Sequence, residues 1–267
     1  MNKSVFTLLT ALAIMCTASG CSNTDHVSTD GSTSMNKVIG VLGEVFEENT
    51  GIRITYNATG SGAGIQAVLE GRCDIGLSSR HLSDSEKNKG LESTVLAYDG
   101  IAVITHTENP VSDLNVETLR KIYTGEITNW KRIGGQDREI VVIGREAGSG
   151  TRDGFESVLE IKGRCRYRQE QTAAGDVITA VSQNAAAIGY TSLASVKDTV
   201  NVLAVDGVIP DETTIRNGSY AVQRPFLLIT KKDAPLSENA KRFFDYVTSA
   251  DAADFVAFAG VVAPSSR

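Results

Sequence analysis

Arg145, Ser149 and Thr151 stand close together in the run Arg145-Glu146-Ala147-Gly148-Ser149-Gly150-Thr151-Arg152. A planar guanidinium fork, two hydroxyl donors and glycines that let the backbone approach closely are a set suited to an oxyanion. Ser149 has a plainer reading as a capping residue in a surface turn. The same chemistry recurs three times: Ser32-Thr33-Ser34 after Asp30-Gly31, Ser61 within Thr59-Gly60-Ser61-Gly62, and Ser79-Arg80 after Ser78.

Each of these runs sits where an element starts or stops. Ile140-Val141-Val142-Ile143 reads as a buried strand before Arg145, and Phe155, Val158 and Leu159 recur at helical spacing, so a helix begins near Thr151 or Arg152. A strand, a glycine-rich turn and a helix start then aim unpaired backbone N–H groups and a positive dipole end at one point. An anion is the natural occupant. Earlier in the chain, Val38, Val41, Leu42, Val45 and Phe46 mark a helix closed by Gly51. Ile52-Arg53-Ile54-Thr55-Tyr56 alternates as a strand, Ile65, Val68 and Leu69 mark a helix closed by Gly71, and Ile75-Gly76-Leu77 is a buried strand. Strands and helices alternate, which predicts an α/β fold with its ligand at the carboxyl ends of strands.

Val95-Leu96-Ala97-Tyr98 and Ile101-Ala102-Val103-Ile104-Thr105 read as two further strands, and Asn109-Pro110 as the crossover to a second domain. There, residues 116–123 and 175–181 are helical, and Ala187-Ile188-Gly189-Tyr190 and Leu203-Ala204-Val205 are strands. Residues 220–230, through Arg224-Pro225, return the chain to the first domain, and the end of the chain is helical.

The chain has 267 residues, 41% of them hydrophobic, which is enough for one large domain or two small ones. A net charge of −6 excludes nucleic acid and anionic membrane surfaces as partners. It also means that an anion site must work against the field of the whole protein, through local dipoles and a few placed cations. Residues 1–20 read as an export signal, with Lys3 before an apolar Val5–Met15 stretch, too short to span a bilayer. Ala18-Ser19-Gly20-Cys21 resembles a lipobox, which predicts a lipid on Cys21 and a polar tether from Ser22 to about Asp30; a plain secretory signal is the alternative. Cys73 and Cys165 are then the remaining cysteines, read as buried free thiols in different domains although export would permit a disulfide. Three histidines and no CxxC pair argue against a transition-metal site.

Taken in order, Asp30-Gly31-Ser32-Thr33-Ser34, Thr59-Gly60-Ser61-Gly62, Asp74-Ile75-Gly76 with Ser79-Arg80, residues 145–152, Ala187-Ile188-Gly189-Tyr190 and Gly218-Ser219-Tyr220 with Arg224-Pro225 resemble the shorter phosphate-binding proteins of phosphate ABC importers. The resemblance spans the whole mature chain. It implies the type II periplasmic-binding-protein fold: two lobes, each a mixed sheet flanked by helices, closing on dehydrated phosphate. The lobes expected are 31–106 with 224–267, and 107–223. The ligand set it implies is Thr33, Ser34, Ser61, Ser79 and Arg80 from the first lobe, and Arg145, Ser149, Gly150 and Thr151 from the second. Longer members of the family carry a carboxylate where Ser79 stands, to accept the phosphate proton. Here Asp153 and Glu146 are the nearest acidic candidates. The implied protein is a monomer without a cofactor or catalytic activity, held on the membrane by lipid, facing the periplasm or cell exterior and serving importer membrane subunits.

Two other functions fit parts of the pattern. A receptor for sulfate or molybdate would need the same hydroxyls and dipoles. A hydrolase using Ser149 or Ser61 would need a histidine within reach; His81 beside Ser79-Arg80 is the candidate, and Gly148-Ser149-Gly150 is not the GxSxG elbow.

Overall fold

The computed structural model describes residues 26–264, so the expected export signal and the expected lipid site, Cys21, lie outside the described residues. The first lobe starts with β1 (His26–Gly31), α1 (Asn36–Thr50), β2 (Arg53–Asn57), α2 (Ser61–Glu70), β3 (Ile75–Ser78) and the short α3 (Asp84–Lys87). A long strand, β4 (Leu91–His106), leads into β5 (Asp113–Leu114), α4 (Val116–Tyr123), β6 (Val141–Arg145), α5 (Gly150–Val158) and β7 (Gln169–Gln171). Then come α6 (Ala174–Ser182), β8 (Ala187–Ser192), β9 (Val200–Val202), β10 (Ala204–Val205) and α7 (Glu212–Arg216). β11 (Gln223–Lys231), α8 (Glu238–Val247) and α9 (Ala253–Phe258) close the chain in the first lobe.

One hydrogen-bonded path runs β2-β1-β3-β11-β4-β8-β6-β7. β4 belongs to both lobes: it pairs with β11 as far as Gly100 and with β8 from Ile101 onward. The crossing therefore falls inside one continuous strand, not at Asn109-Pro110, and the two strands read from sequence are one. The return falls beside it, where Ile101 N–H donates to Val222 O at 2.7 Å and Gln223 pairs with Gly100. Pro225 is accommodated in β11 because β3 pairs only from Leu227 onward, leaving no neighbour there to miss its N–H.

Apolar side chains cover both faces of each half-sheet. In the first lobe, Leu42, Phe46 and Phe243 pack on one side, and Ile65, Val68 and Ile229 on the other. In the second lobe, Trp130, Phe155 and Tyr190 fill one side, and Val177, Ile178 and Val181 the other. Two-sided burial explains why strands such as Ile101–Ile104 are apolar throughout and not alternating.

The expected tether is shorter than read. His26–Gly31 is a strand in the middle of the first lobe, paired with β2 and β3. Its polar residues misled the sequence reading, because they are satisfied inside: Ser28 donates to Asp74 through both N–H and Oγ, and Thr29 Oγ1 donates to Thr55 O. Cys73 and Cys165 are free thiols as expected, but half-buried. No helix among the described residues is long and apolar enough to cross a membrane.

Candidate functional site

Three helical N-termini converge where the lobes meet. The turn Thr33–Met35 leading into α1 starts at Ser32, α2 starts at Gly60, and neither start has a side-chain cap. α5 starts at Gly150, one position before the expected start, with Ser149 as N-cap accepting from Arg152 N–H. First-turn amides other than those of Arg152, taken by Ser149, and Gly62, taken by Gly148 O, are left for whatever lies between them. Close approach is built in by glycine. A Cβ on Gly64 would stand 2.5 Å from Gly31 Cα, so α2 lies directly on the end of β1. A Cβ on Gly150 would stand 2.5 Å from Ser79 Oγ, so α5 abuts the opposite lobe.

Hydroxyls from both lobes gather there. Ser34 Oγ and Thr151 Oγ1 are 2.9 Å apart. Ser32 Oγ donates to Ser79 Oγ at 2.8 Å, Ser61 Oγ lies 3.2 Å from Ser79 Oγ, and Ser79 N–H donates to Ser61 Oγ. Ser34, Ser61, Ser79, Ser149 and Thr151 are all buried. Thr33 is half-buried and accepts Ala174 N–H across the join, and Gly62 N–H donates to Gly148 O. The lobes are closed on each other along this line.

Arg145 ends β6 and is 1% exposed. Its Nε and Nη2 donate to the carbonyls of Gln171 and Thr172, so the fork expected for the anion is partly committed to backbone and Nη1 is the nitrogen left over. Burial lowers its pKa to about 10, and the nearby charge of Arg224 pushes the same way. A guanidinium so placed remains cationic at neutral pH and would gain from a buried counter-charge.

The Arg145 peptide is itself bracketed. Its N–H donates to Tyr190 Oη, which lies 3.0 Å from Tyr167 Oη, and Tyr167 donates to Glu156. Arg152 closes the ring by donating to Glu156 through Nε and to the Arg145 carbonyl through Nη1. The sequence motifs contained Arg152 and Tyr190, but nothing in their spacing signalled this ring, and Glu156 and Tyr167 had no signal at all.

Arg80 is placed differently from the expected ligand role. Its Nη1 and Nη2 bind the two oxygens of Glu86 at 2.9 and 2.8 Å, and its Nε is 3.0 Å from Asp153 Oδ2, an ion-pair distance without hydrogen-bond alignment. Arg80 thus bridges the lobes at the rim. Asp153 also faces Lys162 at 3.5 Å, which removes it from the centre of the hydroxyl cluster. Of the two serines considered as nucleophiles, Ser61 engages Ser79 and Ser149 caps α5, and neither bonds a histidine among the described residues. No cluster of metal-ligand residues occurs among the described residues.

Two α/β lobes joined by crossing strands, closed on helix N-termini and buried hydroxyls, define an oxyanion-binding member of the solute-binding class. The chain belongs to the PBP superfamily, whose domain model matches residues 17–251, and within it to the phosphate-binding protein PstS family. It is 31% identical to PstS of Borreliella burgdorferi strain B31, over 88% of this chain and 90% of that protein. Identity to PstS of Bacillus subtilis strain 168 is also 31%, over 94% and 90%. Among solved structures it resembles a phosphate ABC transporter substrate-binding protein from Clostridium perfringens with bound phosphate (TM-score 0.85, 40% identity, 90% of this chain and all of that one). It also resembles an ABC-type phosphate transport receptor from Vibrio cholerae (TM-score 0.73, 34% identity, 89% of this chain and all of that one).

Proposed function

We propose that this protein captures inorganic phosphate between its lobes and delivers it to the membrane subunits of an ABC importer. The observation that carries the proposal is the meeting of Ser34, Ser61 and Ser79 with Ser149, Gly150 and Thr151 at three helix N-termini, beside the buried cation Arg145. Hydroxyls and amides supply donors on all sides of a tetrahedral anion, and the low-dielectric surroundings strengthen each bond. Thr33 contributes through the first helix start, and Arg80 through lobe closure. The relatives' names point to the same ligand and the same transport role.

The protein is exported, acts as a monomer without catalysis or cofactor, and is held on the membrane by lipid at Cys21. Cys21→Ser should release it from the membrane fraction with phosphate binding intact; unchanged partition would count against the lipid. Calorimetric titration of the full chain in mild detergent with phosphate, then sulfate, tests the function. One phosphate per chain is expected, and Arg145→Ala should weaken it by about tenfold to hundredfold, the worth of a charge-assisted hydrogen bond of about 1.5–3 kcal/mol. Absence of phosphate binding by wild type would overturn the reading.

A further inference from the structure

Asp99 and Arg224 face each other in the β4–β11 register at the crossing between lobes, and both are almost fully buried, with side chains 0% and 2% exposed. Arg224 donates to Asp99 Oδ2 through Nε at 3.3 Å and Nη2 at 3.0 Å. Ser192, from the second lobe, donates to Asp99 Oδ1 at 2.9 Å. A fold-stabilising ion pair would account for these three bonds. It does not account for Nη1, which is buried and has no hydrogen-bond partner among the described residues. A buried charged donor left unpaired is destabilising, and native structures rarely keep one without a reason.

Arg224 lies against the helix that carries part of the anion site. Its Cβ and Cδ lie 3.7 and 3.5 Å from where a Cβ on Gly154 would stand, one turn into α5, whose N-terminus carries Gly150 and Thr151. Arg145 feels its positive charge. Ser192, which binds the Asp99 partner of Arg224, lies on β8 two residues from Tyr190, the residue that takes the Arg145 N–H. Two buried guanidinium groups are therefore attached to α5, Arg145 at the end of the strand that leads into it and Arg224 against Gly154, with one carboxylate, Asp99, paired to Arg224.

We propose that Arg224 is a second buried cation of the anion site, and that Asp99 sets how much of its charge the anion feels. Arg224 acts through the field and does not touch the anion, so it tunes affinity where Arg145, Ser34 and Thr151 define the binding position. In a protein of net charge −6, a local positive excess fixed in low dielectric is what an anion requires.

The proposal rests on the phosphate reading of the same site and is separable from it by charge order. Wild type, Asp99→Asn, Arg224→Gln and the double variant are titrated with inorganic phosphate as full chains, and their melting temperatures are recorded. The pair carries net charge 0 in wild type, +1 in Asp99→Asn, 0 in the double variant, and between −1 and 0 in Arg224→Gln, where burial pushes the unpaired Asp99 towards its protonated form. Expected affinities follow that order: Asp99→Asn several-fold tighter than wild type, the double variant within about threefold of it, and Arg224→Gln about tenfold weaker. A purely structural pair predicts wild type tightest and affinities that track melting temperature, and that result overturns the proposal. Asp99→Asn decides by itself if the others do not fold, since there the two readings predict opposite signs; the double variant, in which no buried charge is left unpaired, overturns the proposal by losing a hundredfold. Failure of wild type to bind phosphate would instead remove the functional reading beneath it.

Discussion

Ser34 and Thr151 bring their hydroxyl oxygens to 2.9 Å across the join of the two lobes, 117 positions apart in the chain. Each lies in the first turn of its own helical start, so the pair places two helix N-termini face to face. Ser34→Ala and Thr151→Val should each weaken phosphate binding by about tenfold, at the lower end of a hydrogen bond to a charged group. The double variant should lose less than the product of the two, because both hydroxyls serve one ligand. Full additivity in titration would show that the two act at separate places.

Gly150 is the point where α5 touches the opposite lobe, and any side chain there meets Ser61 Oγ and Ser79 Oγ. Both oxygens belong to buried serines held by bonds to each other, so neither can move aside freely. Gly150→Ala should therefore prevent closure. Solution scattering is expected to show compaction of wild type on adding phosphate and an unchanged curve for the variant, as a hinge motion about the crossing at Gly100–Ile101 requires. Compaction of the variant equal to wild type would show that the lobes do not close on this contact.

At the rim, Arg80 holds the Glu86 carboxyl down to about 2 through its paired hydrogen bonds, from an ordinary value of 4.5. A carboxyl whose folded pKa is depressed adds stability above the unfolded value, and that stability fades as pH falls through the folded value. Glu86→Gln should melt below wild type at pH 6, with the difference shrinking from about pH 4.5 and gone near pH 2. Thermal melts across that range check it; a constant difference would place the contribution of Glu86 in its cap of α3 alone, where it also accepts Ser83 N–H.

Much of this arrangement was legible in the residues. Gly51 and Gly71 close α1 and α2 in left-handed conformation at the positions expected, and all four hydroxyl-glycine runs come to one place. What was hidden depended on partners far off in sequence. Asp99-Gly100 looks like a turn because a charge and a glycine interrupt apolar residues, yet β4 runs through it, since Arg224 neutralises Asp99 from the next strand. β1 looks like tether because Ser28 and Thr29 are polar, and their partners Asp74 and Thr55 lie 46 and 26 residues away. β7, with the wholly polar sequence Gln169-Glu170-Gln171, is a strand because it pairs with the edge of β6. Arg80 was read as a ligand from its neighbours in the motif, whereas Glu86 and Asp153 determine where it points.

Discrimination of phosphate from sulfate depends on a proton. Near neutral pH phosphate carries at least one and sulfate none, so a carboxylate at the site accepts from the first and repels the second. Ser79 itself offers a hydroxyl and no carboxylate, and the structure places the two acidic candidates, Asp153 and Glu146, differently. Asp153 lies at the rim, paired with Arg80 and Lys162, where its charge is already answered. Glu146 follows Arg145 directly, is half-buried, and brings Oε1 to 3.9 Å from a Cβ position on Gly60, at the start of α2 in the other lobe. It therefore lies in the loop that leads into α5 and reaches towards the N-terminus of α2. Phosphate should outcompete sulfate at pH 7 in wild type. Glu146→Gln should narrow that preference by about tenfold, the order of one hydrogen bond to a charged group. Asp153→Asn should leave the preference unchanged while weakening both anions alike, because it loosens only the bridge between lobes. Competition titrations of the three proteins decide the matter: an unaltered preference in Glu146→Gln would remove the carboxylate from the selectivity mechanism and leave it to the hydroxyls.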